Sequence, residues 1–384
     1  MVAPASMAIV HDGLATAGGG GGAERVLAVL HRMFPEAPIF TTVFAPDRMP
    51  AEMREWDIRT SFIQDMPRGV QKYQWYMPAF PLAVERLDLR GFEVVVSASH
   101  AVAKGVITDA SAHHLCYCYS PLRYAWDMYH EYLEIEDLPG WQRAMLPGLM
   151  HYLRTWDALS ANRVDRYVAI SHYVRRRIEK YYRRPSRVIY PPVEILKSEA
   201  PAADYYLVVS RLVAYKRIDL VVDAFNRLGW PLVVIGEGVE RQRLQAMAKD
   251  NIQFLGRQPD EAVKHHLAAC KGFVFPGIED FGIAPVEAMA AGKPVVALGR
   301  GGAAETVIDG ETGVHFGRQT VDDLIGALRH CNDTQFDAAR IVRHAERFSA
   351  ARFETEFLAA LADRVGGRSG LPGTGFDGED ACPY

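Results

Sequence analysis

Short apolar runs and amphipathic stretches alternate along most of the chain. In the first half the runs are Met7–Val10, Pro38–Val43, Phe92–Ser97, His114–Tyr119, Tyr167–Ile170 and Arg187–Tyr190. They are rich in β-branched and aromatic residues, and several are apolar throughout, as suits strands of a parallel sheet covered on both faces. Helical patterns lie between them, such as Ala23–Met33, directly behind a run of glycines. Pro191-Pro192 breaks this rhythm, and a Pro-, Ala- and charge-rich stretch continues to Asp204. The rhythm then restarts with Tyr205–Ser210, Pro231–Ile235, Ile252–Leu255, Gly272–Phe275 and Pro294–Leu298. In Asp219–Leu228 the apolar residues Leu220, Val221, Val222, Phe225 and Leu228 fall near helical spacing, and Gly229 follows as a stop. Strand–helix alternation of this kind predicts a doubly wound α/β architecture, here twice over. The expected organisation is a first domain over 1–190, a linker over 191–204 and a second domain over 205–348. A closing helix is expected over 349–365, where Phe353, Phe357 and Leu361 recur every four residues, and a Gly/Pro-rich tail over 366–384 is expected to be disordered.

Composition narrows the class. The formal charge of -4 lacks the basic excess that a dedicated nucleic-acid binder uses to neutralise phosphates. No apolar run approaches the roughly 18 residues of a membrane span, and the N-terminus shows no basic segment followed by a long apolar core. The five cysteines follow no framework spacing, and Cys116 and Cys118 would share one face of a strand and could not easily bridge. These features predict a reduced, cytoplasmic protein, soluble or held at a membrane surface.

Three segments carry candidate chemistry. Gly18–Gly22 precedes the first helix, where bare backbone N–H groups and the helix dipole can receive an anion; a flexible connection is the alternative. Gly18, Gly20 and Ala23 fit a dinucleotide fingerprint formally, but the second strand ends Thr41-Thr42-Val43, without the acidic residue that a dinucleotide-dependent oxidoreductase wants there. Arg211 and Lys216 follow the strand Tyr205–Ser210, where open parallel sheets bind ligands, and two cations near a helix start can clamp a diphosphate or simply face solvent. Finally, the loop Pro276–Gly282 leads to a helix in which Pro285 can take the first position, Glu287 falls in the first turn and Glu279 stands in the loop. That arrangement aims the N–H groups of Phe281, Gly282 and Ile283 into the crevice. Two carboxylates at one helix mouth suit the hydroxyls of a sugar or a ribose, although a glutamate in a first turn favours any helix.

Glu279-x7-Glu287 with the following Ala-Met-Ala-Ala-Gly-Lys-Pro-Val run, Ser210-Arg211-Leu212 with Lys216-Arg217, and Gly301-Gly302-x-x-Glu305 together resemble family 4 glycosyltransferases of the GT-B fold. The resemblance runs from about Met7 to Val365. Within that family, Ser97–Gly105, Pro121–Asp127 and Ala169-Ile170-Ser171 look most like bacterial mannosyltransferases of O-antigen and exopolysaccharide assembly. The resemblance implies two Rossmann-like domains facing each other across a cleft, with the last helix packed back on the first. It implies a retaining hexosyl transfer, mannose from GDP-mannose, to a lipid-linked or oligosaccharide acceptor; a UDP-sugar donor, or nucleotide-sugar binding without turnover, are the alternatives. Glu287 is then expected on the ribose hydroxyls, Glu279 on the transferred sugar, and the N–H groups of Phe281, Gly282 and Ile283 on sugar and phosphate. Arg211, Lys216 and Gly22 are expected at the diphosphate, and Gly236, Arg257 and Gln258 beside the base. Tyr119 stands where relatives carry a histidine near the departing phosphate, which makes His100 the candidate to supply that function. There is no Asp-x-Asp motif, and the cationic pair makes a divalent ion unnecessary, so no metal or other cofactor is expected.

One feature lies outside that pattern. His172–Tyr182 and its continuation carry Arg175, Arg176, Arg177, Lys180, Arg183, Arg184 and Arg187 against Glu179 alone, with Val174, Ile178 and Tyr181 as an apolar stripe. This reads either as a contact for an anionic membrane or as a solvated basic face on a packed helix.

Overall fold

The computed structural model describes residues 6–15, 21–133, 140–195, 201 and 203–363. The glycines Gly18–Gly20, most of the linker interior and the tail over 366–384 lie outside the described residues.

Among the described residues, thirteen short strands form two sheets, one in each half of the chain. The first comprises β1 (Met7–His11), β2 (Ile39–Thr41), β3 (Ile58–Thr60), β4 (Val94–Ser99), β5 (His113–Cys118), β6 (Arg166–Ala169) and β7 (Ser186–Val188), in the order β3-β2-β1-β4-β5-β6-β7. The second comprises β8 (Tyr206–Val209), β9 (Leu232–Ile235), β10 (Ile252–Gly256), β11 (Gly272–Phe275), β12 (Val295–Leu298) and β13 (Gly313–Phe316), in the order β10-β9-β8-β11-β12-β13. Every neighbouring pair is parallel. The period of two along each strand sends alternate side chains to opposite faces. Ile9, Val94 and Val96 therefore enter one core while Val10 and Val95 enter another. In the second sheet Leu207 and Phe273 part in the same way from Val208 and Val274. Two buried faces explain why these strands read as unbroken apolar runs.

Two strands escaped the apolar pattern. β3 is an edge strand of sequence Ile-Arg-Thr with no buried residue, and β13 opens on a glycine. Gly313 is nevertheless demanded by the ladder, since a Cβ there would lie 2.0 Å from the Val295 carbonyl oxygen.

Both orders reverse beside the first strand of their sheet, so the crevices of an open α/β sheet fall between β1 and β4 and between β8 and β11. The helix Ala350–Ala362 follows the second domain yet lies on the first. Phe353 and Phe357 are fully buried, with ring centroids 5.5 and 6.0 Å from that of Tyr117 in β5, and Arg166 Nη1 donates to the Ala360 carbonyl at 3.2 Å. One apolar core thus runs from the first sheet through this helix to Phe281 and Phe348.

Candidate active site

The loops at the carboxyl ends of the two sheets enclose a cleft of about 290 Å³, with Gly22, Ala23, His100 and Tyr119 on the first-domain side and Arg211, Lys216, Glu279 and Phe281–Ala284 on the second.

The first-domain wall is organised by a buried carboxylate. Asp12, just past β1, accepts the N–H groups of His100, Ala101, Val102 and Ala103 at 2.6, 3.0, 2.6 and 2.6 Å. Its Oδ2 also lies 3.0 Å from His100 Nδ1. Burial pushes the Asp12 carboxyl upward, but His100, His11 and the N–H groups of His100 and Ala103 outweigh it and hold the pKa below the ordinary value. The loop after β4 is wrapped around this anion, which leaves the half-exposed His100 ring lining the cleft. Behind it His11 is buried, with neither ring nitrogen hydrogen-bonded among the described residues. Burial lowers its pKa, against the charges of Glu24 and Asp12.

Tyr119 also reaches the cleft, but its hydroxyl donates to the Ala23 carbonyl at 3.1 Å, in the first turn of the helix Gly22–Met33. Burial, with Glu24 and Asp12 nearby, raises the phenol well above its ordinary pKa, so Tyr119 serves as a neutral donor that buttresses the helix behind the glycines. Gly22 itself faces the other domain: a Cβ there would lie 2.5 Å from Ile283 Cδ1.

On the second-domain wall Arg211 is exposed, and its Nη2 donates to the Tyr215 hydroxyl at 2.6 Å. Lys216 touches the Glu279 carboxylate. Burial first, then Arg211 and Arg123, pull the Lys216 ammonium down to about 7, while Asp280 acts the other way. The direct contact with Glu279 also favours the charged form and opposes that shift. The helix after the loop runs Ile283–Ala290, behind Gly282 at φ +87°, a conformation natural to glycine.

This start corrects the expected helix register. Pro285 is the third helical residue rather than the first, and it still forfeits no bond because the first four N–H groups have no partner within a helix. Glu287 accordingly falls past the first turn, where it pairs with Arg25 of the first domain. The Phe281 side chain is buried beside the rings of Tyr190 and Phe348, so only its backbone can serve a ligand.

Glu287, Gly236, Arg257 and Gln258 do not line the cleft. Gly236 is held at φ +140°, with space for a Cβ only 1.8 Å from the Ser210 carbonyl oxygen. Gln258 donates to the Leu255 carbonyl at 2.7 Å, and Arg257 is exposed. Among the described residues no group of three His, Cys, Asp or Glu side chains is arranged to hold a metal ion.

Several residues that join the domains were not legible as such. Asp280 receives Arg177 Nη1 at 2.6 Å and Arg123 Nη1 at 3.3 Å, and its carbonyl accepts from Ser171 Oγ at 2.6 Å. Glu305 accepts the N–H groups of His172 and Tyr173 at 2.7 and 2.5 Å, capping the helix His172–Tyr182 from the opposite domain. The Gly301-Gly302 pair brings it there, since a Cβ on Gly302 would lie 2.3 Å from Phe281 Cα. Of the basic residues on that helix and beyond, Arg177 is buried and also pairs with Asp127, while Arg184 donates to the Val164 carbonyl at 2.8 Å. Arg175, Arg176 and Lys180 remain exposed.

Two facing parallel-sheet domains with the site between their carboxyl ends make a GT-B fold. Residues 20–195 match the family model for Glycosyltransferase Family 4, and residues 197–348 match that for Glycosyl transferases group 1. An uncharacterised glycosyltransferase of Methanocaldococcus jannaschii is 30% identical over 167 residues, 42% of this chain and 47% of that one. A GDP-mannose-dependent alpha-(1-6)-phosphatidylinositol monomannoside mannosyltransferase of Mycolicibacterium smegmatis is 34% identical over 138 residues, 31% of this chain and 36% of that one. The chain thus spans less than half the length of these curated relatives. Among solved structures, Anabaena HepE in complex with UDP-glucose superimposes with a TM-score of 0.68 at 16% identity, covering 93% of this chain and 99% of that one. The lipopolysaccharide outer core galactosyltransferase WaaB superimposes with a TM-score of 0.63 at 18% identity, covering 93% and 100%. These findings support a glycosyltransferase with the GT-B fold.

Proposed function

We propose that the protein is a retaining glycosyltransferase that moves mannose from GDP-mannose to a lipid-linked or oligosaccharide acceptor. The observation that carries this reading is the convergence of Arg211, Lys216, the Gly22 helix start and the Gly282 helix start on one cleft that also holds Glu279. Cations and bare helix N-termini facing one another suit a diphosphate, and a carboxylate beside them suits sugar hydroxyls. The mannose donor follows the Mycolicibacterium relative, a GDP-mannose-dependent mannosyltransferase.

In this reading Glu287 takes the ribose hydroxyls and Glu279 orients the mannose. The diphosphate departs from an oxocarbenium-like sugar, and Arg211, Lys216 and the N–H groups of Gly282 and Ile283 meet the charge that develops on it. Preorganised donors of this kind contribute a few kcal/mol each to lowering a barrier. The acceptor hydroxyl attacks the face the diphosphate leaves, and its proton passes to the departing phosphate. His100, braced by Asp12, lines the acceptor-side wall. No metal ion enters the scheme, and exposed Arg175, Arg176 and Lys180 offer a contact for anionic lipid.

The test is thermal unfolding with GDP-mannose, UDP-glucose, UDP-N-acetylglucosamine, ADP-glucose and NAD. A ligand at a hundred times its Kd adds about 2.7 kcal/mol. A shift with GDP-mannose that Glu287→Ala abolishes is expected; a shift with UDP-glucose instead changes the donor, and a shift with NAD alone overturns the reading. The commitment of the Tyr119 hydroxyl to Ala23 favours a second reading, binding without turnover. A sharp gain in transfer on Tyr119→His would support it.

A further inference from the structure

The carboxylate assigned to the ribose already has a partner from the other domain. Arg25, one turn into the helix Gly22–Met33, forms an ion pair with Glu287, 262 positions along the chain. The Glu287 side chain is 15% exposed and that of Arg25 is 42% exposed, so the pair bridges the two domains while solvent still reaches the cation. Asp260 and Glu194 add negative charge around the guanidinium. One turn earlier the walls touch again, at Gly22 and Ile283. The guanidinium holds Glu287 Oε1, one of the two carboxylate oxygens that ribose hydroxyls would use.

Resting on the assignment of Glu287 to the ribose, we propose that Arg25 is a latch. It competes with the nucleotide for Glu287, so donor binding is opposed by a cross-domain ion pair at this edge. The latch lowers affinity for any nucleoside diphosphate and makes the ribose, rather than the phosphates alone, the group that opens the site. Only a ligand with free ribose hydroxyls can replace what Glu287 gives up.

The test is calorimetric titration of GDP into the wild type, Arg25→Met, Glu287→Gln and the double variant. Methionine keeps the apolar stem and helix propensity of Arg25, so the variant retains its packing. Arg25→Met is expected to bind GDP about fivefold more tightly, the upper range for a part-exposed ion pair. That gain should vanish in the Glu287→Gln background and be much smaller for 2′,3′-dideoxy-GDP. Unchanged or weaker binding by Arg25→Met, with wild-type binding that still depends on Glu287, overturns the latch and leaves the nucleotide assignment intact. If GDP, UDP and ADP bind neither the wild type nor Arg25→Met while both unfold cooperatively, the assignment of the cleft to a nucleotide falls as well.

Discussion

At the scale of single residues, the site is a set of charges whose partners decide their role. Lys216 titrates at about 7, and its lowered pKa means it is cationic below neutrality and increasingly neutral above. GDP affinity of the wild type, taken relative to Lys216→Gln, is therefore expected to fall as pH rises through about 7; comparison with the variant removes the titration of the phosphate itself. A ratio constant from about pH 6 to 9 would show that Glu279 keeps the lysine charged throughout. Asp12 makes the complementary case. Its folded pKa is depressed, so its stabilising contribution is present above about pH 4 and lost as pH falls below it. Asp12→Ala leaves the N–H groups of residues 100–103 without their acceptor and is expected to cost about 3 kcal/mol in urea unfolding at neutral pH. Asp12→Asn should flatten the acid limb of the stability curve. The sequence singled out His100 but not Asp12, because a lone Asp after a strand has no spacing that announces a buried anion.

At the scale of elements, the strands were the most legible part. Apolar runs covered on both faces have no competing pattern, and the helix Ile218–Leu228 ends at Gly229 with φ +70°, where its glycine stop was read. Boundaries were harder: Pro38–Val43 contracts to Ile39–Thr41, where Pro38 has a carbonyl but no N–H to give the ladder and Thr42 and Val43 have already left it. The loop and helix of Glu279 and Glu287 were legible because Gly282 ends the loop, although Pro285 displaced the expected start by two residues, whereas the capping of one helix by a residue on another domain leaves no local trace. Glu305 illustrates this. Glu305→Ala strips two N–H groups of their acceptor at the start of His172–Tyr182 and is expected to cost about 1–2 kcal/mol, read as a lower Tm. Gly302→Ala should cost more, because the new Cβ meets the Phe281 backbone at 2.3 Å and the backbone must move. If Gly302→Ala unfolds at the wild-type temperature, the close approach of these two loops is wrong.

At the scale of the whole molecule, the two sheets are joined by more than the linker. Asp280 and Glu305 hold the first domain from the second, Arg25 and Glu287 pair between the domains, and Phe353 and Phe357 return to Tyr117. The last of these is apolar and fully buried: truncating a buried phenylalanine costs about 3–5 kcal/mol, against about 1 kcal/mol or less for a part-exposed ion pair such as Arg25–Glu287. Phe357→Ala removes a ring that belongs to a helix contiguous with the second domain but packs on β5 of the first. If the shared core makes folding cooperative across the cleft, calorimetry of Phe357→Ala should show one transition displaced to lower temperature. If the domains are thermodynamically separate, the trace should instead split, with the second-domain transition left where the wild type has it. The continuous core from Tyr117 through Phe353 to Phe281 and Phe348 argues for the single displaced transition. Cross-domain charges around the cleft would then tune closure against a scaffold that the closing helix already holds together.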